Sequence, residues 1–503
     1  MKIWPLFALF IVRCPLKISS ILSDNLVALS HISDEESFSD ITYDSRKVQE
    51  GTLFVAIKGF EADGHRFIES ALSKGATAIV SQQEPIGDTP WIQVKDVRQG
   101  MAQLAYGVFD VSLNNLTTIG ITGTNGKTTI ATLFNQLNHL FYDEKKCWLI
   151  GTAGNLFGKT LEVAERTTPE AVDLLRWISR AQEQPKALVM EVSSHALILK
   201  RLQGFEFDVA VYTNLTQDHL DFHGDMENYY EAKKLLFTQH LSENGIAIIN
   251  IDDTYGKRLS EECSTVNCLT FGFDTSADVV ISDVHSTLDG TFFRVSYKGK
   301  KYKINSPLVG AFNVSNLCSV LTYALYQEFD MVSVLNTVKT MTDVRGRMEV
   351  VSLNAPFTAI VDYAHTPDAL KNILSTARKI TKGKVIIVFG AGGDRDSGKR
   401  SIMAEIVSKN SDFAIITSDN PRTENPSQIL TMVEQGMPLD FTYAVIEDRA
   451  TAIASALSQA QKGDVVIIAG KGHETYQDIA GVKHHFDDRE EVIKAYTTIV
   501  KGE

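Results

Sequence analysis

The segment Gly123-Thr124-Asn125-Gly126-Lys127-Thr128-Thr129 has the residue types of a phosphate-binding loop. Glycines let backbone amides turn toward phosphate oxygens, Lys127 supplies charge, and the Thr128 hydroxyl suits magnesium. The spacing departs from the usual one because Ile121 stands where the first glycine would be, so a tight strand-to-helix turn is the competing reading. A second set follows in Glu191-Val192-Ser193-Ser194-His195, and in Thr213-Asn214 leading to His219, Asp221 and His223. Taken singly, each reads as a solvated loop residue. Gathered at the ends of parallel strands, they could surround one crevice, with Glu191 reaching a phosphate-bound metal.

Those side chains need strands and helices to hold them. Leu116 to Thr122 is a β-branched apolar run before the loop, and the pattern predicts a helix starting near Lys127. Runs at Ala187 to Val192, Asp208 to Thr213 and Ile246 to Ile251 alternate with helical stretches, which predicts a parallel sheet covered on both faces. Upstream, Thr52 to Ile57 and Ala76 to Val80 flank a helical pattern, His65 to Lys74, in a small α/β unit ending near Asn114. Downstream, a β-rich stretch, Val279 to Ile304, precedes a helical segment, Asn313 to Phe329, and Gly346 marks a boundary. Beyond it, Thr358 to Val361, Lys384 to Phe389, Phe413 to Thr417 and Asp464 to Ala469 are strand candidates of a second open α/β domain with ligand loops at its strand ends.

At 503 residues the chain is too long for one core, and about three domains are expected. Its 49 basic and 62 acidic residues give a net charge of -13, which argues against non-specific binding to nucleic acid or anionic lipid. An anionic ligand must therefore be held by a local device. The cysteines, Cys14, Cys147, Cys263, Cys268 and Cys318, are scattered and lack zinc spacing, which fits a reducing compartment. The apolar run Trp4 to Val12 resembles a short signal peptide, but Arg13 and Pro15 follow it directly without a small-residue cleavage site. It is also far shorter than the roughly 20 residues needed to span a bilayer. Residues 1–15 are read as an N-terminal extension of undefined role, dispensable for activity, on a cytoplasmic protein.

The ordered motifs TGTNGKTT (Thr122 to Thr129), EVSSHAL (Glu191 to Leu197), TNLTQDHLDFHG (Thr213 to Gly224), GAFNVSNL (Gly310 to Leu317), GRME (Gly346 to Glu349) and DYAHTP (Asp362 to Pro367) resemble the Mur ligase family over nearly the whole chain. The resemblance implies an α/β fold in three domains. These are a UDP-substrate-binding domain over residues 1–114, a central P-loop ATPase domain with a mainly parallel sheet over 115–344, and a C-terminal Rossmann-like, amino-acid-binding domain over 345–503. Asp44-Ser45-Arg46, Asp394-Arg395, Asp419-Asn420-Pro421-Arg422 and Gly470-Lys471-Gly472-His473-Glu474 are similar to the members that add the third residue of the muramyl peptide. The implied reaction is ATP-dependent ligation of meso-diaminopimelate to UDP-N-acetylmuramoyl-L-alanyl-D-glutamate through an acyl phosphate, by a monomer without nucleic-acid or membrane partners.

Carried over residue by residue, the resemblance makes Lys127 the phosphate lysine, with Gly123, Thr124, Asn125, Gly126, Thr128, Thr129, Asn313, Asn316, Arg347 and Asp362 at ATP. Thr128 and Glu191 match a first magnesium site; His223 and a carbamylated Lys233 match a second. Ser45, Thr167, Thr168, Ser193 and Arg201 match positions holding the muramyl dipeptide, and Arg395, Asp419, Asn420, Pro421, Arg422, Gly470 and Glu474 match positions holding diaminopimelate. Two departures bear on the nucleotide-sugar site, Phe60 in place of a polar residue and Leu199 in place of glutamine. Plainer readings stand beside these: Asn313 and Asn316 as an ordinary helix start, Lys233 and Lys234 as a solvated helix face, Arg422 as a surface turn residue. Competing functions are ligation of L-lysine, a dipeptide-adding or folylpolyglutamate ligase on the same scaffold, and an ATP-dependent regulatory switch.

Overall fold

A computed structural model describes residues 16–59, 62–287, 289–342 and 344–501. The N-terminal extension, Cys14 and Phe60 therefore lie outside the described residues. The chain folds into two compact units.

The first unit comprises residues up to Thr117 together with Thr168–Lys186 and His195–Glu206. Its sheet runs in the order Leu26–Ser30, Trp91–Val94, Ala76–Ser81, Thr52–Val55, Asp40–Thr42. The last four strands are mutually parallel, whereas Leu26–Ser30 joins antiparallel. The helical pattern from His65 becomes a short 3-10 turn, Gly64–Phe67, and then the helix Ile68–Ser73. Helix Val97–Phe109 is capped by Asp96, which accepts from the amides of Arg98 and Gln99. Val172 and Leu175, from the helix Ala171–Ser179, join the core formed by Ile41, Leu53, Val80 and Leu104. Arg98 reaches Glu170 at 2.7 Å and Arg176 reaches Asp40 at 3.1 Å, tying that late segment to the N-terminal sheet.

Among the described residues the second unit holds two large sheets and a two-stranded hairpin. The larger has 11 strands with Ala187–Glu191, Thr117–Thr122, Phe207–Tyr212 and Leu241–Asn250 side by side at its centre. Parallel pairing extends through Asn267–Gly272 to Val279–Thr287. Both edges then turn antiparallel: Val279–Thr287, Gly290–Tyr297 and Lys300–Ser306 at one side, Cys147–Gly151, Gly154–Phe157 and Thr160–Glu162 at the other. Short turns allow such hairpins, while the parallel centre needs helical crossovers. Helices Lys127–Asn138 and Ala311–Tyr326 pack on this sheet through Ile130, Phe134, Leu317 and Leu321. The smaller sheet runs Glu349–Val351, Thr358–Asp362, Val465–Ala469, Val385–Phe389, Phe413–Ile416, Tyr443–Val445, with only its first strand antiparallel. Late in sequence but central in the sheet, Val465–Ala469 creates the reversal of strand order at which open α/β sheets bind ligands. Cys147, Cys263, Cys268 and Cys318 are unbridged.

Candidate functional site

Strand Thr117–Thr122 feeds a loop whose two glycines are required by geometry. Gly123 has φ 146° and Gly126 φ 89°; a Cβ would lie 1.8 Å from Thr213 Oγ1 at the first and 2.6 Å from Asn316 Oδ1 at the second. Gly126 caps helix Lys127–Asn138 without a side chain, which favours an anionic ligand at the first-turn amides. Lys127 Nζ donates to the carbonyls of Gly123 (2.9 Å) and Thr124 (2.8 Å). Burial lowers its pKa, opposed by Glu191 and Asp218.

Lys233, on helix Met226–Gln239, is 1 % exposed. Its Nζ donates to the Gly123 carbonyl at 2.8 Å and lies 4.5 Å from the Tyr229 ring centre. Burial first, and Lys127 second, push its pKa well below the usual lysine range. Glu191, ending its strand, accepts at Oε1 from the Thr152 amide (2.8 Å) and at Oε2 from the Thr152 hydroxyl (3.1 Å), which also meets Thr167 Oγ1 at 3.1 Å.

These groups line a cavity of about 270 Å³ shared with loops of the smaller sheet, including Arg395, Asp419, Asn420, Arg422, Gly470 and Glu474. Asn420 donates to Glu474 Oε2 (2.8 Å) and accepts from fully buried Lys471 (3.0 Å). Asp419 is buried with Oδ2 lacking a hydrogen-bond partner. Burial alone would raise its carboxyl, but Lys471 and Arg449 hold it low. Burial and Asp419 both raise Glu474. Below this floor, Arg449 donates to both Asp488 oxygens at 2.7 Å and to the Ala469 carbonyl at 2.9 Å, bracing the strand end before Gly470. Arg422 has φ 51°, a left-handed conformation that costs a non-glycine residue roughly 1–2 kcal/mol. Its Nη1 donates to the Gly393 carbonyl at 2.5 Å.

A larger cavity of about 600 Å³ is lined by Asn125, Gly126, Thr129, Asn316, Arg347 and Asp362, with Phe271 and Phe312 among its apolar walls. Asp362 accepts from the amides of Met348 and Ala364, both at 2.7 Å, and burial raises its carboxyl. Arg347 lines both cavities, lies 4.4 Å from the Tyr363 ring centre and donates to Thr128 Oγ1 at 3.2 Å; its buried Nε lacks a hydrogen-bond partner. Asn125 to Asp368 (3.1 Å) and Lys399 to Asp218 (3.2 Å) further join the loops of the two sheets.

Comparisons with known proteins carry the same pattern along the chain. Residues 37–107 match the Mur ligase family catalytic domain, 121–324 the Mur ligase middle domain, and 346–472 the Mur ligase glutamate ligase domain. A UDP-N-acetylmuramoyl-L-alanyl-D-glutamate--2,6-diaminopimelate ligase of Clostridioides difficile (strain 630) is 44% identical over 456 residues, covering 90% of this chain and 93% of that one. The chain belongs to the Mur ligase family. The same-named protein of Alkaliphilus metalliredigens (strain QYMF) is 45% identical to this Mur ligase over 460 residues, 89% of this chain and 91% of the relative. A solved structure bearing that ligase name is 35% identical and superposes with TM-score 0.68 over 97% of this chain and 99% of the other. The MurF ligase from Thermotoga maritima in complex with ADP, 20% identical, shares the fold with TM-score 0.64 over 92% of this chain and 98% of that one.

Within this Mur ligase, the small cavity gathers Thr124, Lys127, Thr128, Thr167, Ser193 and Lys233 in addition to the residues of the smaller sheet. Pro421 and Asn313 line neither cavity. Asn313 lies in the first turn of the helix that begins at Ala311, but Gly310 is the cap; Asn313 Nδ2 reaches back to the Val309 carbonyl at 3.0 Å while its Oδ1 accepts from Asn316. Ser45, Thr168 and Arg201 belong to the first unit, where Arg201 donates to the Thr168 carbonyl at 3.4 Å. His223 is buried, stacked on Tyr229 and 2.9 Å from Ser194 Oγ, whereas His219 lines the cavity with φ 54°.

Sequence reasoning did not single out Thr152, Asp218, Tyr363, His365 or Lys399, all of which line the small cavity. One signal was available for Lys399. It begins helix Lys399–Asn410, where a cation opposes the helix dipole, so a buried lysine there calls for a carboxylate partner. Burial alone would raise Asp218, but Lys399 overcomes it and holds the carboxyl well below its usual range. Burial, reinforced by Lys399, pulls His365 down to about 4.

Proposed function

We propose that this Mur ligase joins meso-diaminopimelate to UDP-N-acetylmuramoyl-L-alanyl-D-glutamate at the expense of ATP. The observation that carries the reading is the shared cavity, in which Lys127 and Glu191 of the phosphate-loop sheet face Asn420, Arg422 and Glu474 of the smaller sheet. The relatives at 44% and 45% identity bear the name of that ligase. Phosphoryl transfer from ATP to the D-glutamyl carboxylate gives an acyl phosphate, and the incoming amine displaces phosphate as the amide forms. Such transfer depends on alignment and charge neutralisation, the part assigned to Lys127. The larger cavity is suited to the nucleoside, with Asp362 accepting from ribose hydroxyls. Residues 1–114, 115–344 and 345–503 then serve the UDP-substrate, ATP and the amino acid. The reaction belongs in the cytoplasm, where its nucleotide substrates are made.

The mass spectrum of products from ATP, the UDP-muramyl dipeptide and a mixture of amino acids tests this reading. One product, heavier than the dipeptide substrate by a diaminopimelyl residue, is expected. Phosphate release without any such product would favour the regulatory switch.

Magnesium fits the donor set. Among the described residues no group of three His, Cys, Asp or Glu side chains could hold a metal, so an ion would lean on Thr128, Glu191 and the phosphates of its ligand, as magnesium commonly does. Bound there, it would neutralise phosphate charge. Of the two histidines, His219 is better placed than His223 to serve a second ion. Lys233 suits carbamylation, because its desolvated amine is biased toward the neutral form that reacts with carbon dioxide. Lys233→Ala is expected to lower kcat about 100-fold, with partial rescue by small carboxylates. Full activity in that variant would remove the carbamate from the mechanism.

A further inference from the structure

The conformation of Arg422 is held from outside its own loop. A β-hairpin, Tyr476–Ile479 paired with Val482–His485, turns through Ala480 (φ 52°) and Gly481 (φ 78°). Its first strand runs beside the loop Asp419–Arg422, with Arg422 and Ile479 forming a parallel bridge. The Arg422 amide donates to the Asp478 carbonyl at 3.0 Å, and the Ala480 amide donates to the Arg422 carbonyl at 2.7 Å, so both backbone groups of the strained residue are gripped. Gln477 Nε2 donates to the Asp419 carbonyl at 2.8 Å, and the Asp478 amide donates to Asn420 Oδ1 at 2.9 Å. Three of the four loop residues are thus bonded to one hairpin.

A left-handed arginine is disfavoured on its own, and such a conformation persists where the surroundings over-determine it. Released into the right-handed region, the backbone would direct the side chain differently, and the guanidinium would leave its place beside Gly392 in the cavity wall. We propose that the hairpin is the specificity-setting element of the amino-acid pocket, with Gln477 and Ala480 as positioning residues that aim Arg422 at the distal carboxylate of the incoming amino acid. This rests on the reading of Arg422 as the selector of diaminopimelate. Gln477 and Ala480 act only through the loop, so their loss should be felt at the amino acid and not at ATP.

The test measures kcat and KM for diaminopimelate, lysine and ATP in the wild type and in A480P, A480G and Q477M. Proline removes the amide that donates to Arg422 and cannot adopt the positive φ of Ala480. A480P is expected to raise KM for diaminopimelate about tenfold and to lower its preference over lysine similarly, with KM for ATP unchanged. Q477M, similar in shape but without the donor, should raise the same KM about threefold. A480G keeps the amide and the turn and should restore wild-type discrimination. The proposal is overturned if A480P and Q477M keep wild-type discrimination, or if KM for ATP rises in parallel with that for the amino acid. If A480P does not fold, Q477M decides alone. A wild type that shows no preference for diaminopimelate would defeat the reading of Arg422 itself, before any variant is compared.

Discussion

Replacing Lys127 by alanine is expected to lower kcat for phosphate release by roughly 10²–10³-fold while leaving the fold intact, the loss typical for one pre-organised contact to developing charge. The ammonium is held between the Gly123 and Thr124 carbonyls at the start of a helix without a side-chain cap, so it is already ordered where phosphate would bind. Its partial desolvation makes the charge more effective than it would be in water. Alanine leaves the loop's own supports in place: the Gly123 carbonyl keeps Lys233, and the Asn125 amide keeps Asn214 Oδ1 at 2.9 Å. The check is single-turnover phosphate release alongside a denaturant melt. Near-normal turnover in a fully folded variant would remove the phosphate role of the loop.

The second large effect concerns the choice of amino acid. Diaminopimelate carries a distal carboxylate that lysine lacks, and an arginine grips a carboxylate with two parallel bonds. Arg422 and Arg395 both line the cavity that Gly470 and Glu474 close, so cations and acceptors are available for the distal amino-acid end. Lysine would leave this half-buried guanidinium without its anion. Sites built around a polar partner reject the analogue that lacks it by about 10⁴-fold. The wild type is therefore expected to favour diaminopimelate over lysine by that order in kcat/KM, and Arg422→Ala to lose most of the difference through KM for diaminopimelate. Equal use of lysine by the wild type, or unchanged diaminopimelate kinetics in the variant, would refute the assignment. The structure already departs from the surface-turn reading, because Arg422 faces the cavity with its backbone bonded on both sides.

Much of this protein was legible in one dimension, because backbone conformation and burial follow short-range patterns. The apolar run before Gly123 became the strand Thr117–Thr122, and the predicted helix begins at Lys127. The later strand candidates fell within a residue or two at Thr358–Asp362, Val385–Phe389, Phe413–Ile416 and Val465–Ala469. Two glycines and a lysine between a strand and a helix mark a candidate phosphate loop by residue type alone, and the strand and helix they require are both present. Tertiary structure alone decided which distant residues meet. The insertion of Val465–Ala469 between Thr358–Asp362 and Val385–Phe389 brings Gly470 beside Asp419, and no local period encodes strand order. Lys233 reads in sequence as half of a solvated lysine pair, yet the helix turns Lys233 inward to Gly123 and Lys234 outward to Glu262. The resemblance puts His223, not His219, at the second ion, yet the short helix Leu220–His223 leaves His219 in the cavity wall and His223 stacked on Tyr229. Thr168–Lys186 is drawn to the N-terminal sheet by Val172, Leu175 and Arg98–Glu170. In each case the deciding energy lies in burial and pairing between segments far apart in the chain, which a pattern of neighbours does not contain.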